Sequence, residues 1–259
     1  MPSAIPKPQA QSLQSQVSPQ EWRVRVDLAA CYRLVAHYGW DDLIFTHISA
    51  RVPGPETHFL INPYGMMFDE ITASSLVKID LRGKKVAESA YDVNPAGFTI
   101  HSAVHEGRHD AHCVLHLHTT AGTAVSAQKD GLLPISQQAT LVMLSLSYHD
   151  YEGLALNPDE KGRLQKDLGD TRNLILRNHG LLTVGKNVSD AFLNMFTLQR
   201  ACEAQLLAQG NGAELIEIPQ TVLDTVPEFS RMVTKGAGSA LVWPALLRKM
   251  DRLDPSFRN

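Results

Sequence analysis

Two histidines one residue apart, His116 and His118, lie in an apolar segment, residues 114–119, whose alternation is typical of a buried β-strand. Successive strand side chains point to opposite faces, so we expect both imidazoles on one face with their Cα atoms about 6.6 Å apart. That separation lets two rings bind one metal ion at roughly 2.0–2.1 Å each. A single core histidine more often has a structural role, so the pair leaves both interpretations open.

A third histidine strengthens the metal interpretation. His179 and Gly180 interrupt two short apolar runs within residues 173–184, and glycine permits a tight turn or the close approach of another group. His179 is therefore either a turn residue facing water or a third ligand beside the first pair. Three neutral imidazoles with an open fourth position are typical of a catalytic zinc site, and nothing in the spacing excludes Mn, Fe, Co or Ni.

The composition argues against several classes of protein. The chain has 259 residues, of which 44% are hydrophobic and 20% charged, and a formal net charge of −3. Without a basic stripe we expect no nucleic-acid partner. Without a bilayer-length apolar run or a signal-peptide pattern we expect no membrane partner. Three widely spaced cysteines, Cys31, Cys113 and Cys202, are typical of reduced core thiols and a cytoplasmic protein.

The predicted organisation is a flexible, Pro-, Gln- and Ser-rich arm over residues 1–17, one mixed α/β domain over 18–219, and a C-terminal extension over 220–259 that packs on the domain or on a neighbouring subunit. Ser18 to Glu21 form a capping box with Pro19 at the first helical position. Further predicted elements are a strand over 43–52, a short helix near 72–75, a helix over 97–108 and a long helix capped by Ser189.

Four segments resemble motifs of the class II aldolase/adducin family: GWDDLIFTHISAR (39–51), ITASSLVKID (71–80), HLHT (116–119) and LRNHG (176–180). The similarity extends from about residue 22 to 217, and NPAGFTIHSA (94–103) and GLLPIS (131–136) are most similar to adducin head domains. The resemblance implies a three-layer α/β/α fold with a central, largely antiparallel sheet. It also implies a homotetramer with active sites at subunit borders. The zinc-binding histidines of the aldolases match His116, His118 and His179.

One departure from the family pattern removes a carboxylate. Sugar-phosphate aldolases have a glutamate, preceded by two serines, just ahead of the helix that leads into the His-x-His strand. The matching residues here are Pro95, Ala96 and Gly97. A general acid or base typically contributes roughly 10²–10⁴-fold, and glycine supplies none.

A second departure affects the phosphate-binding groups, whose matching positions hold His47, Tyr64 and Gly65 together with residues 95–96. Side chains that donate to phosphate are thereby replaced, which predicts a non-phosphorylated substrate. We predict that His47, Tyr64, Gly65 and Gly97 bind this small molecule. His47 and Tyr64 are the candidate catalytic residues, although the acid or base is not identified by the sequence.

Two further clusters have a structural and a functional interpretation. His101 and His105 lie four residues apart on one predicted helix face, a spacing that suits either a metal or a packed core, and the core is favoured. The segment 148–151, Tyr-His-Asp-Tyr, is interpreted as a surface loop, with a neighbouring subunit's site as the alternative.

The leading hypothesis is a metal-dependent lyase that cleaves a carbon–carbon bond, by decarboxylation or retro-aldol cleavage, in a small non-phosphorylated hydroxy or keto acid. Zinc is the favoured metal. A non-catalytic, adducin-like interaction protein is the alternative from another class, and a non-haem iron oxygenase is a minor one.

Overall fold

One seven-stranded sheet forms the centre of the part of the chain that the computed structural model describes, residues 12–54, 57–154, 159–210, 212–234 and 238–259. The spatial order of its strands is β3-β2-β1-β4-β7-β6-β5. Neighbouring strands are antiparallel except β5 and β6. The strands are β1 (His47–Arg51), β2 (His58–Ile61), β3 (Val77–Asp80), β4 (Cys113–Leu117), β5 (Leu146–His149), β6 (Asn173–Leu176) and β7 (Gly180–Gly185).

Helices cover both faces of this sheet. Leu28 and Leu198 pack on one face in a cluster that includes Leu115, whereas Val104 and Leu164 pack on the other. The predicted three-layer α/β/α fold with a largely antiparallel sheet is thus confirmed. The α-helices are α1 (Leu13–Gln16), α2 (Pro19–His37), α3 (Pro95–Gly107), α4 (Thr120–Ser126), α5 (Gln137–Met143), α6 (Glu160–Leu168), α7 (Val188–Gln209), α8 (Gln220–Leu223), α9 (Val226–Thr234) and α10 (Gly238–Leu253).

Helix α2 begins where the sequence predicts, because the Ser18 hydroxyl accepts a hydrogen bond from the backbone N–H of Glu21 at 3.1 Å. The strand predicted over 43–52 is shorter, since Leu43 has φ +50° and β1 begins only at His47. The helix predicted near 72–75 is wrong. Thr72 and Ser75 bond to each other's backbone N–H and form a turn instead.

Two other local predictions are also wrong. Helix α7 is capped by Asn187, whose side chain accepts from the Asp190 N–H at 2.8 Å, while Ser189 donates to that same Asn187 oxygen. Tyr148 and His149 lie on the edge strand β5 rather than in a surface loop.

The described part of the C-terminal segment packs on this chain's own α2. The Trp243 indole donates to Asp27 at 2.9 Å, Arg33 pairs with Asp254 at 3.1 Å, and Phe257 is fully buried. Residues 1–11 of the predicted arm lie outside the described residues, and α1 follows them. The domain boundaries at 17 and 219 stay predictions. Among the described residues, no helix combines the length and apolarity that crossing a bilayer requires.

Candidate metal centre

The register of three strands brings the predicted ligands together. Strand β4 lies between β1 and β7, with His116 directly opposite His47 on one side and Leu182 on the other. His118 is the residue between β4 and the N-cap of α4, and His179 lies in the turn that joins β6 to β7. The sheet therefore collects side chains that are distant in sequence at one edge of the β4–β7 pair.

The three histidines point their Nε2 atoms at one another. His118 Nε2 lies 3.0 Å from His116 Nε2 and 2.9 Å from His179 Nε2. Tetrahedral coordination with Zn–N bonds of roughly 2.0–2.1 Å would place ligand nitrogens about 3.3 Å apart. Small side-chain adjustments therefore accommodate a cation among them.

The contacts of the outer ring nitrogens leave the inner ones available to a cation. His116 Nδ1 donates to the Leu181 carbonyl at 3.0 Å, and His118 Nδ1 donates to the Asp42 carboxylate at 3.0 Å. A neutral imidazole whose Nδ1 carries the proton presents a lone pair at Nε2. Two such lone pairs then face each other at 3.0 Å, and they repel unless a positive charge lies between them. Metal-binding histidines characteristically donate their second N–H to a carbonyl or carboxylate, so this donor set fits a divalent cation.

Burial keeps the imidazoles of His116 and His179 unprotonated. Desolvation, followed by the neighbouring histidines, lowers the pKa of His116 well below its usual 6.5. The same causes, burial first and His118 second, lower the pKa of His179 to about 4. A ligand must be deprotonated to bind a metal, and both rings meet this condition at neutral pH.

The backbone around His179 is shaped for close approach. Asn178 adopts φ +54°, a conformation that asparagine tolerates better than most residues. A Cβ on Gly180 would lie 2.5 Å from the Leu117 carbonyl oxygen and 3.2 Å from the His118 ring. The glycine predicted to permit a tight turn therefore also lets β7 pack against the end of β4.

The histidines open into a cavity of about 380 Å³. His47 lines it and is only 4% exposed, yet neither ring nitrogen has a hydrogen-bond partner among the described residues. Burial, with a smaller contribution from His118, lowers the pKa of His47 to about 4. None of the described lining residues is lysine or arginine. Besides His116, His118 and His179, here called the inner histidines, they are Asp42, Phe45, His47, Asn94, Ile100, Tyr151, Gly153, Leu154 and Asn178.

Of the other three predicted substrate-binding residues, the surroundings of Tyr64 and Gly65 are described. Tyr64 is 44% exposed and, like Gly65, is absent from the described lining. Gly97 lies in the first turn of α3, where the side-chain surroundings fall outside the described residues.

His101 and His105 are core residues, as favoured above. Both bind the hydroxyl of Ser49, at 2.6 and 2.8 Å, and neither lines the cavity.

Asp42 and Tyr151 are among the residues at the site that the sequence analysis did not predict. Asp42 holds His118, and the rule that metal-bound histidines donate to a carboxylate could have drawn attention to the aspartates in the 39–51 motif. Tyr151, whose ring centroid lies 6.3 Å from that of His179, belongs to the 148–151 cluster, where sequence analysis favoured a surface loop.

Comparison with known proteins supplies the evolutionary context. A family model described as the class II aldolase and adducin N-terminal domain matches residues 26–206. A Pseudomonas aeruginosa protein classed by name with the class 2 aldolases is 64% identical over 95% of this chain and 96% of its own. Mouse alpha-adducin is 43% identical over 89% of this chain but only 33% of the adducin. The crystal structure of an aldolase II superfamily protein from Pseudomonas syringae aligns with a TM-score of 0.91 and 50% identity, covering 96% of this chain and all of that one.

Proposed function

The chain belongs to the class II aldolase and adducin family, and on that premise we propose that it is a metal-dependent carbon–carbon lyase acting on a small, non-phosphorylated hydroxy or keto acid. The observation that carries the proposal is the pair of inward-facing Nε2 atoms of His116 and His118, whose outer nitrogens are already committed to Leu181 and Asp42. With His179 they form the proposed ligand set. Zinc is the proposed metal, with Mn, Fe, Co and Ni as alternatives that the same imidazoles would bind.

A divalent cation held by these three histidines would stabilise negative charge on a substrate oxygen as the carbon–carbon bond breaks. His47, neutral and lining the cavity, is the proposed polar contact for that substrate, although both of its ring nitrogens lie beneath the surface in this conformation. Tyr151 carries the phenol of the described lining. It is our candidate for holding the proton that the carbon receives, a role that the sequence had given to His47 or Tyr64.

The lack of an unbonded carboxylate in the described lining favours decarboxylation over aldol cleavage. Position 97 is glycine, and Asp42, the one carboxylate of the described lining, is already bonded to His118. When CO₂ leaves an acid whose ketone is β to the carboxylate, the bonding electron pair delocalises onto the ketone oxygen, so no base has to remove a proton first. Only a later proton transfer to the carbon that lost CO₂ is needed.

The lining also favours a non-phosphorylated substrate. Proteins bind a phosphate dianion mainly with arginine, lysine or clustered backbone N–H groups. The described lining has no lysine or arginine. Besides the inner histidines, its polar groups are the Asp42 carboxylate, the Tyr151 phenol, the amides of Asn94 and Asn178 and the neutral imidazole of His47, and none of these is a cation.

Metal analysis combined with anaerobic turnover tests this function. Protein purified without added metal should contain about one transition-metal ion per chain, and His116→Ala should lose it, while His109→Ala at an exposed histidine retains it. The metal-loaded protein should release CO₂ or a cleaved carbonyl product from hydroxy or keto acids without O₂. Turnover that requires O₂ would favour an iron oxygenase instead.

The identity to alpha-adducin favours a second candidate, a non-catalytic interaction protein. Protein that contains no bound metal and whose behaviour His116→Ala leaves unchanged would support this candidate and contradict the lyase.

We further propose, from the family resemblance, that the chain assembles as a homotetramer. Light scattering should then give four chain masses, and a monomer would contradict the proposal.

A further inference from the structure

We infer that the ligand of the metal centre carries a neutral aromatic group beside its chelating oxygens, as in an aryl-substituted 3-keto acid, whose decarboxylation would leave the electron pair delocalised onto the ketone oxygen. This inference rests on the proposed function and narrows its substrate class. It follows from the apolar and aromatic side chains that line the cavity beside the histidines.

The polar side chains of the described lining are those of the three inner histidines, His47, Asp42, Asn94 and Asn178. The apolar wall faces the cavity with Phe45, Ile100, Tyr151 and Leu154. Ligand sites are typically lined in this way, by apolar and aromatic side chains with a few polar groups that fix orientation. A ligand whose oxygens meet the histidines would therefore place its remaining atoms against hydrocarbon.

The apolar wall is largely uncovered. Phe45 is 50% exposed, Tyr151 53% and Leu154 81%, although all three line one cavity. Single exposed apolar side chains are ordinary, but a group of them around a polar pocket marks a binding surface. A ligand ring seated here would remove apolar surface from water on both partners.

Phe45 is held in a fixed relation to the metal ligands. Its backbone N–H donates to the Asp42 carbonyl at 2.9 Å, and the Asp42 carboxylate holds His118. One turn, which includes Leu43 at φ +50°, thus positions both a ligand-orienting carboxylate and an aromatic wall. A preformed wall needs little ordering when a ligand binds.

The volume of the cavity and the charges of its lining suit a ligand with an aryl group. The cavity volume of about 380 Å³ lies within the roughly 300–1,000 Å³ typical of pockets for ring-containing ligands. A three-carbon acid would leave much of that space unfilled. Since the described lining has no lysine or arginine, a second anionic group at the far end of the ligand would be unpaired.

Cobalt(II)-loaded protein allows ligand binding to be measured without turnover, from the visible absorption of the bound ion. Mandelate and phenylpyruvate should bind at least about tenfold more tightly than lactate and pyruvate, which have the same chelating head groups, because the added ring buries apolar surface. Phe45→Ala should remove most of this preference and leave lactate binding unchanged. Leu154→Ser should also reduce the preference for aryl acids. Because Leu154 is exposed, the substitution should not unfold the protein. Phe229→Ala, at an exposed aromatic residue on α9 outside the cavity, is the matched control.

The outcomes separate this inference from the function on which it rests. Failure to bind cobalt, or a spectrum that no acid perturbs, would overturn both. A normal cobalt spectrum with equal affinity for aryl and alkyl acids would overturn the aromatic inference alone. If Phe45→Ala changed the mass measured by light scattering but not the aryl preference, the apolar wall would be a contact between copies of this chain, and the inference would again be wrong.

Discussion

Asp42 lies outside the proposed ligand set but sets the orientation of one proposed ligand, His118. Its carboxylate accepts the Nδ1–H of His118 at 3.0 Å, which fixes the ring's orientation and keeps the Nε2 lone pair directed at the other two histidines. The negative charge of the carboxylate would also strengthen the bond that Nε2 makes to a bound cation.

Asp42→Asn should therefore weaken metal binding by about 10–100-fold without unfolding the protein, because an amide of the same shape lacks the negative charge. Competition against a chromophoric chelator would measure the affinity. Asp41→Asn, one residue away and absent from the described lining, is the matched control. Equal affinities for the two variants would mean that Asp42 does not orient His118.

At the scale of elements, the site depends on how closely β7 approaches the end of β4. Gly180 begins β7 with its Cα beside the Leu117 carbonyl, and His118 follows Leu117 directly. Any side chain at position 180 must push these two segments apart.

Gly180→Ala should destabilise the protein by about 1–3 kcal/mol, as overpacking typically does. It should also lower metal affinity at least about tenfold, since about 1.4 kcal/mol of ligand displacement corresponds to that factor. Urea unfolding and chelator competition would measure the two effects.

The matched control is Gly162→Ala, which makes the same chemical change within α6, where an added Cβ meets nothing within 4 Å. It should leave the metal affinity unchanged and stabilise the helix by up to about 1 kcal/mol. A Gly180→Ala protein that bound metal normally would contradict the proposed role of this contact.

Across the whole molecule, several histidines are buried in their neutral form, which links stability to pH. Burial lowers the pKa of His47 and His179 to about 4 each, and that of His105 to about 3, from an unfolded value near 6.5. Between about pH 6.5 and pH 3 the unfolded chain therefore binds more protons than the folded one. The stability that these groups contribute is complete above pH 6.5 and is lost as pH falls through the folded pKa values.

The free energy of unfolding of the metal-free protein should thus decrease steadily from pH 7 to pH 4.5, measured by urea titration in the presence of a chelator. His105→Gln removes one of the titrating groups at a distance from the metal ligands, so its stability should fall less steeply over the same range. His109→Gln, at an exposed position, is the control for loss of a histidine. Identical slopes for wild type and His105→Gln would contradict this assignment.

Sequence patterns alone predicted the family, the layered fold and the convergence of the three inner histidines. These features are local: alternation sets which face of a strand a side chain leaves, a capping box starts α2, and short motifs such as HLHT and LRNHG carry the resemblance. The errors were also local, at residues 72–75 and at Ser189, where side-chain hydrogen bonds to nearby backbone or to Asn187 replaced the predicted helix turn and cap.

The residues that surround those histidines could be identified only from the folded chain. Sequence spacing does not reveal that Asp42 holds His118, that Tyr151 lines the cavity while Tyr64 does not, or that Phe45 shares a turn with Asp42. Each of these depends on strand register and on the path of a loop, which are set by packing between segments far apart in the chain. A shift of one residue in register would turn every side chain of a strand to the opposite face, so the neighbourhood of the site is fixed only when the whole sheet is assembled.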